Sequence, residues 1–425
     1  MAREGINKRI FDSAVFAPPD WAADFGVNAE GKTINFLPAQ KAVIDAFLSA
    51  TTDSVRLVAA SAASRAILAQ CDMEELEELR EHIQLSELLR AIPYGRQTDH
   101  SAHTLYLFLL GMYFFFHSPR IRKAFAKTIG KKGDAPETLD RFNLQWTFAS
   151  LLHDVGYIFQ SDTARQRAVD RMFRAPTIVR RIPPQETKNV LLQVRETILG
   201  TALPGYTTPT DPEDQLDRLR KLPWGKDVGL HCDAFTTFFL YGPQGGTVDA
   251  VALEDFAYLV AATGYDGISS GVVDHAVASG LFLLAYSTFW YWLARQVNYQ
   301  GVFGVYRDSY FVNDIVCACF AVAAHNMIGA HAKQFGKLKF DDNPLLYLGI
   351  LCDELQKWDR YPAGDEFLAN LKSFAEHCTD SENLHLTQKR GRFVFTFESE
   401  ELAKKIKKGL DRLEAWEDLV EVRTK

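Results

Sequence analysis

Ionisable side chains lie inside several strongly apolar segments of the chain, and their types suit metal chemistry. His153 and Asp154 lie in the run LLHDVGY, Asp353 lies in LLYLGILCDEL, and His275 and His325 have equally apolar neighbours. A single buried histidine is most often explained by a hydrogen bond, because buried polar groups are usually paired. Burying several such groups is costly unless they share a partner. One or two divalent cations would neutralise the carboxylates and take the imidazoles as neutral ligands.

The order of these residues along the chain matches a known pattern. DHSAHTLYLF, LLHDVGY, VVDHAVASG, AAHNM and ILCDELQKWDR follow one another. This H…HD…H…H…D series, over residues 100–360, resembles the metal-dependent phosphohydrolases of the HD superfamily. The resemblance implies two divalent metal ions bridged by Asp154, and Mn²⁺, Fe²⁺ or Mg²⁺ would suit such mixed nitrogen and oxygen donors. The ligands that it implies are His103, His153, Asp154, His275, His325 and Asp353.

Further residues are candidates for catalysis and substrate binding. His100 lies one helical turn before His103 on the same face. A general-acid histidine has a similar place in cyclic-nucleotide phosphodiesterases, where the spacing is four rather than three. The predicted catalytic residues are therefore His100 and Asp154, and the alternatives for His100 are support of a ligand or an exchange of roles with His103. The candidate phosphate contacts are basic residues that follow the two acidic ligands, namely Arg165, Lys357 and Arg360. The alternative is that they form an exposed basic face.

The resemblance implies hydrolysis of a phosphate ester by a metal-bridging hydroxide, without a covalent intermediate. Nucleotides, cyclic nucleotides and related phosphodiesters or monoesters are the expected small-molecule substrates. Two alternatives share the ligand pattern. One is a di-iron oxygenase of the HD type, and the other is a non-catalytic HD module that senses a nucleotide.

Apolar helices must carry these residues, so the expected fold is mainly α, an HD-domain helical bundle. Helices are predicted over 98–128, 140–160, 272–297, 310–334 and 344–358 from their apolar periodicity. The sequence divides into an N-terminal arm and helical segment (1–90), a catalytic core (91–362) and a small C-terminal α+β appendage (363–425). A Pro/Gly-rich insertion at 172–250 is expected to cover the site. The appendage is predicted to hold a helix, a β-hairpin within LHLTQKRGRFVFTFES and a closing helix at 399–422.

Composition favours a cytoplasmic enzyme without a nucleic-acid partner. The formal net charge of −7 provides no overall basic surface for nucleic acid. The six cysteines form no C-x-x-C pair, and the N-terminus lacks a signal peptide's apolar stretch. The uncharged run 276–294 is interpreted as a buried helix rather than a membrane span. The expected partner is a phosphorylated small molecule, and the sequence leaves open whether the chain forms a homo-oligomer.

Overall fold

Helices dominate the part of the chain that the structure describes. The structure is a computed structural model, and the residues that it describes are 36–71, 73–74, 76–81, 83, 100–128, 136–160, 275–276, 279–280, 283, 287, 314–326, 337–341, 343–357, 384–389 and 391–425. The α-helices with described bounds are α1 (Phe36–Leu48), α2 (Asp53–Leu68), α3 (His100–His117), α4 (Pro119–Thr128), α5 (Pro136–Leu151), α6 (Val316–Ala324), α7 (Pro344–Leu355) and α8 (Glu400–Leu410). The strands are β1 (Leu384–Lys389), β2 (Arg392–Phe397) and β3 (Val420–Thr424).

Two further helices are described only in part. One is described at residues 76–81 and 83, and the other, which we call the His275 helix, at residues 275–276, 279–280, 283 and 287. The mainly α class is confirmed for the described residues, whereas the HD arrangement stays a prediction. Several predictions fall outside the described residues: residues 1–35 of the N-terminal arm, the insertion 172–250, Arg165, Arg360 and most of the run 276–294. Among the residues that the structure covers, no helix is long and apolar enough to cross a membrane.

The predicted helix 98–128 is wrong in its continuity, because two helices occupy this segment. Every residue of α3 from Ser101 to Phe116 is buried, as expected for a helix that is apolar on all sides. The chain then leaves the helix at Ser118, whose Oγ accepts a hydrogen bond from the Ile121 amide at 3.4 Å. Pro119 follows as the first residue of α4, a position that needs no amide donor.

Two other predicted helices are shorter than expected, and both end at a predicted ligand. The helix predicted over 140–160 ends as α5 at Leu151, and a 3₁₀-helix begins at Val155. His153 and Asp154 therefore lie in a turn, where hydrogen bonds between residues three apart replace the α-helical pattern. The helix predicted over 310–334 ends as α6 at Ala324, directly before His325. These ends place polar side chains where the backbone turns, rather than in mid-helix.

The C-terminal segment forms a small sheet that packs on the helices. The predicted hairpin is confirmed, because β1 pairs with β2 antiparallel. The closing helix at 399–422 is wrong, since α8 ends at Leu410 and Val420–Thr424 adds a third strand parallel to β2. The buried residues Val420 and Val422 alternate with more exposed ones, which is the period of a strand. α8 thus serves as the crossover that a parallel pair of strands requires.

The helices that carry the predicted site pack directly on one another. α3 contacts α5 and α7, and α6 contacts α5 and α7. Trp146 of α5 is fully buried, and its indole nitrogen donates to the carbonyl of Phe108 in α3 at 2.9 Å. This bond satisfies the polar atom of a large buried ring and fixes α5 against α3.

A buried ion pair joins α5 to the start of the α6 segment. Asp314 is fully buried and accepts from the Arg141 guanidinium, with Nη2 to Oδ2 at 2.7 Å and Nε to Oδ1 at 3.0 Å. Gln145 donates to the same carboxylate at 2.6 Å. Burial raises the pKa of Asp314 to about 6, against the opposing effect of Arg141 and Gln145, so the pair is ionised at pH 7.

We expect Asp314→Asn to lower the free energy of unfolding at pH 7 by about 3–5 kcal/mol, because Arg141 would stay buried without its counter-charge. Urea unfolding followed by circular dichroism measures this change. The matched control is the double variant Arg141→Met/Asp314→Leu, which removes both charges and should cost clearly less. A single variant as stable as the wild type would contradict the role of this pair.

Candidate metal centre

The carboxylate of Asp154 lies at the centre of the predicted site. Its Oδ2 atom lies 3.1 Å from Nε2 of His153 and 3.3 Å from Nε2 of His100. Its Oδ1 atom lies 3.4 Å from Nε2 of His275 and 4.0 Å from Nε2 of His325. Each carboxylate oxygen therefore faces a different pair of imidazoles.

Two groups of side chains bring their donor atoms within 4.8 Å of one another. One group is His103, His153 and Asp154, and the other is Asp154, His275 and His325. Asp353 lies beside the first group, with Oδ1 3.2 Å from Nε2 of His103. The structure thus brings all six predicted ligands together, and a metal ion can be held by either group.

Two of the histidines direct one ring nitrogen away from Asp154 and into a main-chain hydrogen bond. Nδ1 of His153 donates to the Ser150 carbonyl at 2.8 Å, and Nδ1 of His325 donates to the Val322 carbonyl at 2.7 Å. A carbonyl oxygen only accepts, so Nδ1 carries the hydrogen and Nε2 of the neutral ring carries a lone pair. In the neutral ring that lone pair faces a carboxylate, so either a proton or a metal ion must lie between the two groups. Histidine ligands of metals show this same arrangement.

Charges within the site act on one another strongly. Burial opposes ionisation of Asp154, but the imidazoles of His153 and His100 outweigh it and hold its pKa well below the usual range. Burial and the neighbouring imidazoles of His153 and His275 lower the pKa of His325 to about 4. His325 is therefore neutral near pH 7, the state in which an imidazole binds a metal.

One side of the site is more open than the other. The side chains of Asp353 and His100 are 22% and 17% exposed, whereas that of His103 is 1% exposed. Tyr157 is partly buried next to His100, and its ring stacks on the ring of His275 with centroids 4.0 Å apart. The predicted catalytic histidine thus lies on the open side, and the predicted ligand His103 lies deep.

A close backbone approach positions His275 relative to Asp154. The amide of Gly156 donates to Ser279 Oγ at 2.7 Å, and that hydroxyl donates to the carbonyl of His275 at 2.8 Å. A β-carbon at Gly156 would collide with the His275 carbonyl and lie 2.8 Å from Ser279 Oγ. Gly280 approaches α6 as closely, at Cys319 and Ala323. The two glycines therefore let three backbones converge on the site.

The remaining candidate residues have different outcomes. Arg165 and Arg360 lie outside the described residues, so their roles as phosphate contacts stay predictions. Lys357 is described, and its ammonium pairs with Glu354. Gln356 was not among the predicted site residues; it is fully buried and contacts Nδ1 of His103 through Oε1. The available signal was a polar residue one helical turn after Asp353.

We expect Gly156→Ala to reduce the number of metal ions bound per chain, because the added β-carbon displaces His275 from Asp154. Overpacking of this kind also costs stability, about 1–3 kcal/mol. Elemental analysis after loading with Mn²⁺, together with thermal unfolding, measures both effects. The control is Gly349→Ala in α7, where nothing lies within 4 Å of the added atom. That change should keep the metal and stabilise the helix by about 0.5–1 kcal/mol. Equal metal content in both variants would contradict the positioning role of Gly156.

Comparison with known proteins adds no family to this description. No family model, no curated protein and no solved structure matches the chain. The case for a metal centre is therefore the geometry around Asp154, and the likeness to the HD superfamily remains a likeness of motifs.

Proposed function

We propose that the protein is a metal-dependent hydrolase that cleaves a phosphate ester and uses two divalent metal ions. The observation that carries the proposal is the pair of ligand groups that share the carboxylate of Asp154. A carboxylate with two oxygens facing separate pairs of imidazoles is suited to bridge two ions. The resemblance of the motifs to HD phosphohydrolases supports the same chemistry and favours nucleotides or cyclic nucleotides as substrates.

The helices around the site also favour cations. α5 ends at Leu151, α6 ends at Ala324 and α7 ends at Leu355, each within a few residues of a predicted ligand. The carboxyl-terminal end of a helix carries a partial negative charge from its unsatisfied carbonyl groups. The ends of α5 and α6 lie beside the buried carboxylate of Asp154 through His153 and His325, and the end of α7 lies beside His103 through Asp353. These three ends make the site attractive to positive charge.

The donor set fits the proposed ions. Imidazole nitrogens and carboxylate oxygens together suit Mn²⁺ and Fe²⁺, and the carboxylates alone suit Mg²⁺. When bound, such ions lower the pKa of water to near neutrality and offset the negative charge of phosphoryl oxygens. The residues His103, His153, Asp154, His275, His325 and Asp353 would hold them.

We propose that His100 supplies a proton during the reaction. Its Nε2 lies 3.3 Å from Oδ2 of Asp154, so the carboxylate favours a hydrogen on that nitrogen. In hydrolysis, a water that has lost one proton to solvent bonds through its oxygen to phosphorus while the bond from phosphorus to the leaving oxygen breaks, and His100 later regains a proton from solvent. The leaving oxygen then takes its proton from Nε2 of His100, which lies on the open side of the site.

We expect the purified protein to bind close to two transition-metal ions per chain and Asp154→Ala to lose both the metal and the activity. The shared carboxylate serves both ligand groups, and its removal leaves the imidazoles without a counter-charge. Elemental analysis after supplying Mn²⁺ and phosphate release from a panel of phosphoesters measure these properties.

The same assay separates the proposal from its alternatives. Asp314→Asn serves as the control for loss of stability, because it removes a buried carboxylate elsewhere in the fold. Phosphate release without O₂ agrees with a hydrolase, whereas O₂ consumption by an iron-loaded protein would indicate an oxygenase. Folded wild-type protein that binds no metal would contradict the proposal. Metal-loaded protein that binds a nucleotide without cleaving it would indicate a sensing module.

We expect His100→Ala to keep its metal and to lose about 10²–10⁴-fold in rate, the usual contribution of general acid catalysis. The loss should be much smaller for a nitrophenyl phosphodiester than for an alkyl phosphodiester, because nitrophenolate leaves without a proton. The measurement is the ratio of the two rates, with metal content determined on the same samples. Loss of metal from His100→Ala would instead show that His100 is a ligand. An equal loss of rate on both substrates would show that it only positions other groups.

A further inference from the structure

Both ring nitrogens of His103 contact residues from the end of a single helix, α7. Nε2 of His103 lies 3.2 Å from Oδ1 of Asp353, and Nδ1 contacts Oε1 of Gln356. The His103 side chain is 1% exposed, and Gln356 is fully buried. No bulk water therefore competes for either nitrogen. The Asp353 carboxylate by itself favours a hydrogen on Nε2, so the group at Nδ1 decides whether Nε2 keeps a lone pair.

Gln356 differs in kind from the groups that orient the neighbouring histidines. His153 and His325 donate Nδ1–H to main-chain carbonyls, which can only accept. A glutamine amide has an oxygen that accepts and a nitrogen that donates. With Oε1 facing Nδ1, the hydrogen lies on Nδ1 and Nε2 offers a lone pair. With the Gln356 amide reversed, its nitrogen would donate to Nδ1 of His103. The hydrogen of the ring would then lie on Nε2 of His103, which could not bind a metal.

The end of α7 is built to hold Gln356 in place. The Gln356 backbone leaves the helical conformation, with φ −83° and ψ 69°, while its amide still donates to the Cys352 carbonyl at 2.8 Å. Glu354 fixes the opposite side of this turn, since its carboxylate accepts from Arg412 at 2.5 Å and pairs with Lys357. Anchored in this way, the helix end directs Asp353 and Gln356 at one imidazole.

We propose that Gln356 is a positioning residue that sets the tautomer of His103. Its Oε1 accepts from Nδ1–H and thereby presents the Nε2 lone pair to a metal ion between His103, His153 and Asp154. The inference rests on the proposed metal site and adds a residue that determines its affinity. Hydrogen-bonding partners of ligand histidines generally affect metal affinity by about 10–100-fold.

The test compares two substitutions at Gln356 by titrating the metal-free full chain with Mn²⁺ in a calorimeter. Gln356→Met keeps the length of the side chain but removes the acceptor, so Mn²⁺ should bind about 10–100-fold more weakly than to the wild type. Gln356→Glu keeps an acceptor that cannot be reversed, so the affinity should match or exceed that of the wild type. A role in packing alone would lower the thermal stability of both variants without separating their affinities.

Tyr347→Phe is the matched control, because Tyr347 lies on the same helix and donates to the Glu414 carbonyl at 2.9 Å. It should cost about 1 kcal/mol in stability and leave the affinity for Mn²⁺ unchanged. Wild-type protein that fails to bind Mn²⁺ contradicts the proposed function itself. Wild-type binding together with an unchanged affinity in Gln356→Met overturns only the role of Gln356. If that variant does not fold, ¹⁵N spectra of the wild type decide, and a hydrogen on Nε2 of His103 overturns the proposal.

Discussion

A buried carboxylate needs positive charge or hydrogen-bond donors around it, and the described part of this protein meets that need in two different ways. Asp314 accepts from the guanidinium of Arg141 and the side-chain amide of Gln145, and both groups are permanent donors. Asp154 is surrounded by imidazoles, and at least two of them are oriented with a lone pair toward it. The first arrangement is complete by itself. The second one is complete only when protons or metal ions are added, which is the physical reason for treating Asp154 as the functional carboxylate.

The packing around Asp154 follows from this requirement. Helices that met side by side along their full length would leave little room for polar groups. Instead, α5 and α6 end just before His153 and His325, and the turns that follow carry the side chains inward. Gly156 and Ser279 then hold the His275 helix against the Asp154 turn. The apolar segments of the helices pack on one another, and the residues at the helix ends supply the candidate metal ligands.

Sequence patterns anticipated the parts of this arrangement that depend on residue type. The apolar runs predicted α3, α5, α6 and α7, and the resemblance of the His and Asp motifs to the HD superfamily implied which side chains would meet. The ends of the helices were harder to predict. The apolar run in the sequence continues past His153, and only the folded backbone shows that α5 ends at Leu151. The strand at Val420–Thr424 was missed because it gains its partner from a distant segment. Gln356 was missed because a polar residue one turn after Asp353 does not by itself indicate a partner. Its contact with His103 depends on the backbone turn at the end of α7.

The contact between His103 and Gln356 has a consequence for how the protein is made, because 253 residues separate the two partners. A ribosome releases α3 long before it releases α7. During that interval the growing chain carries the buried face of α3 and most of the predicted ligands, but lacks the helix that completes them. Loops of this length form slowly, and apolar surface that waits for a distant partner is prone to aggregate. The part of α3 that packs on α7 is therefore covered by its native partner only after the chain has been made as far as Leu355.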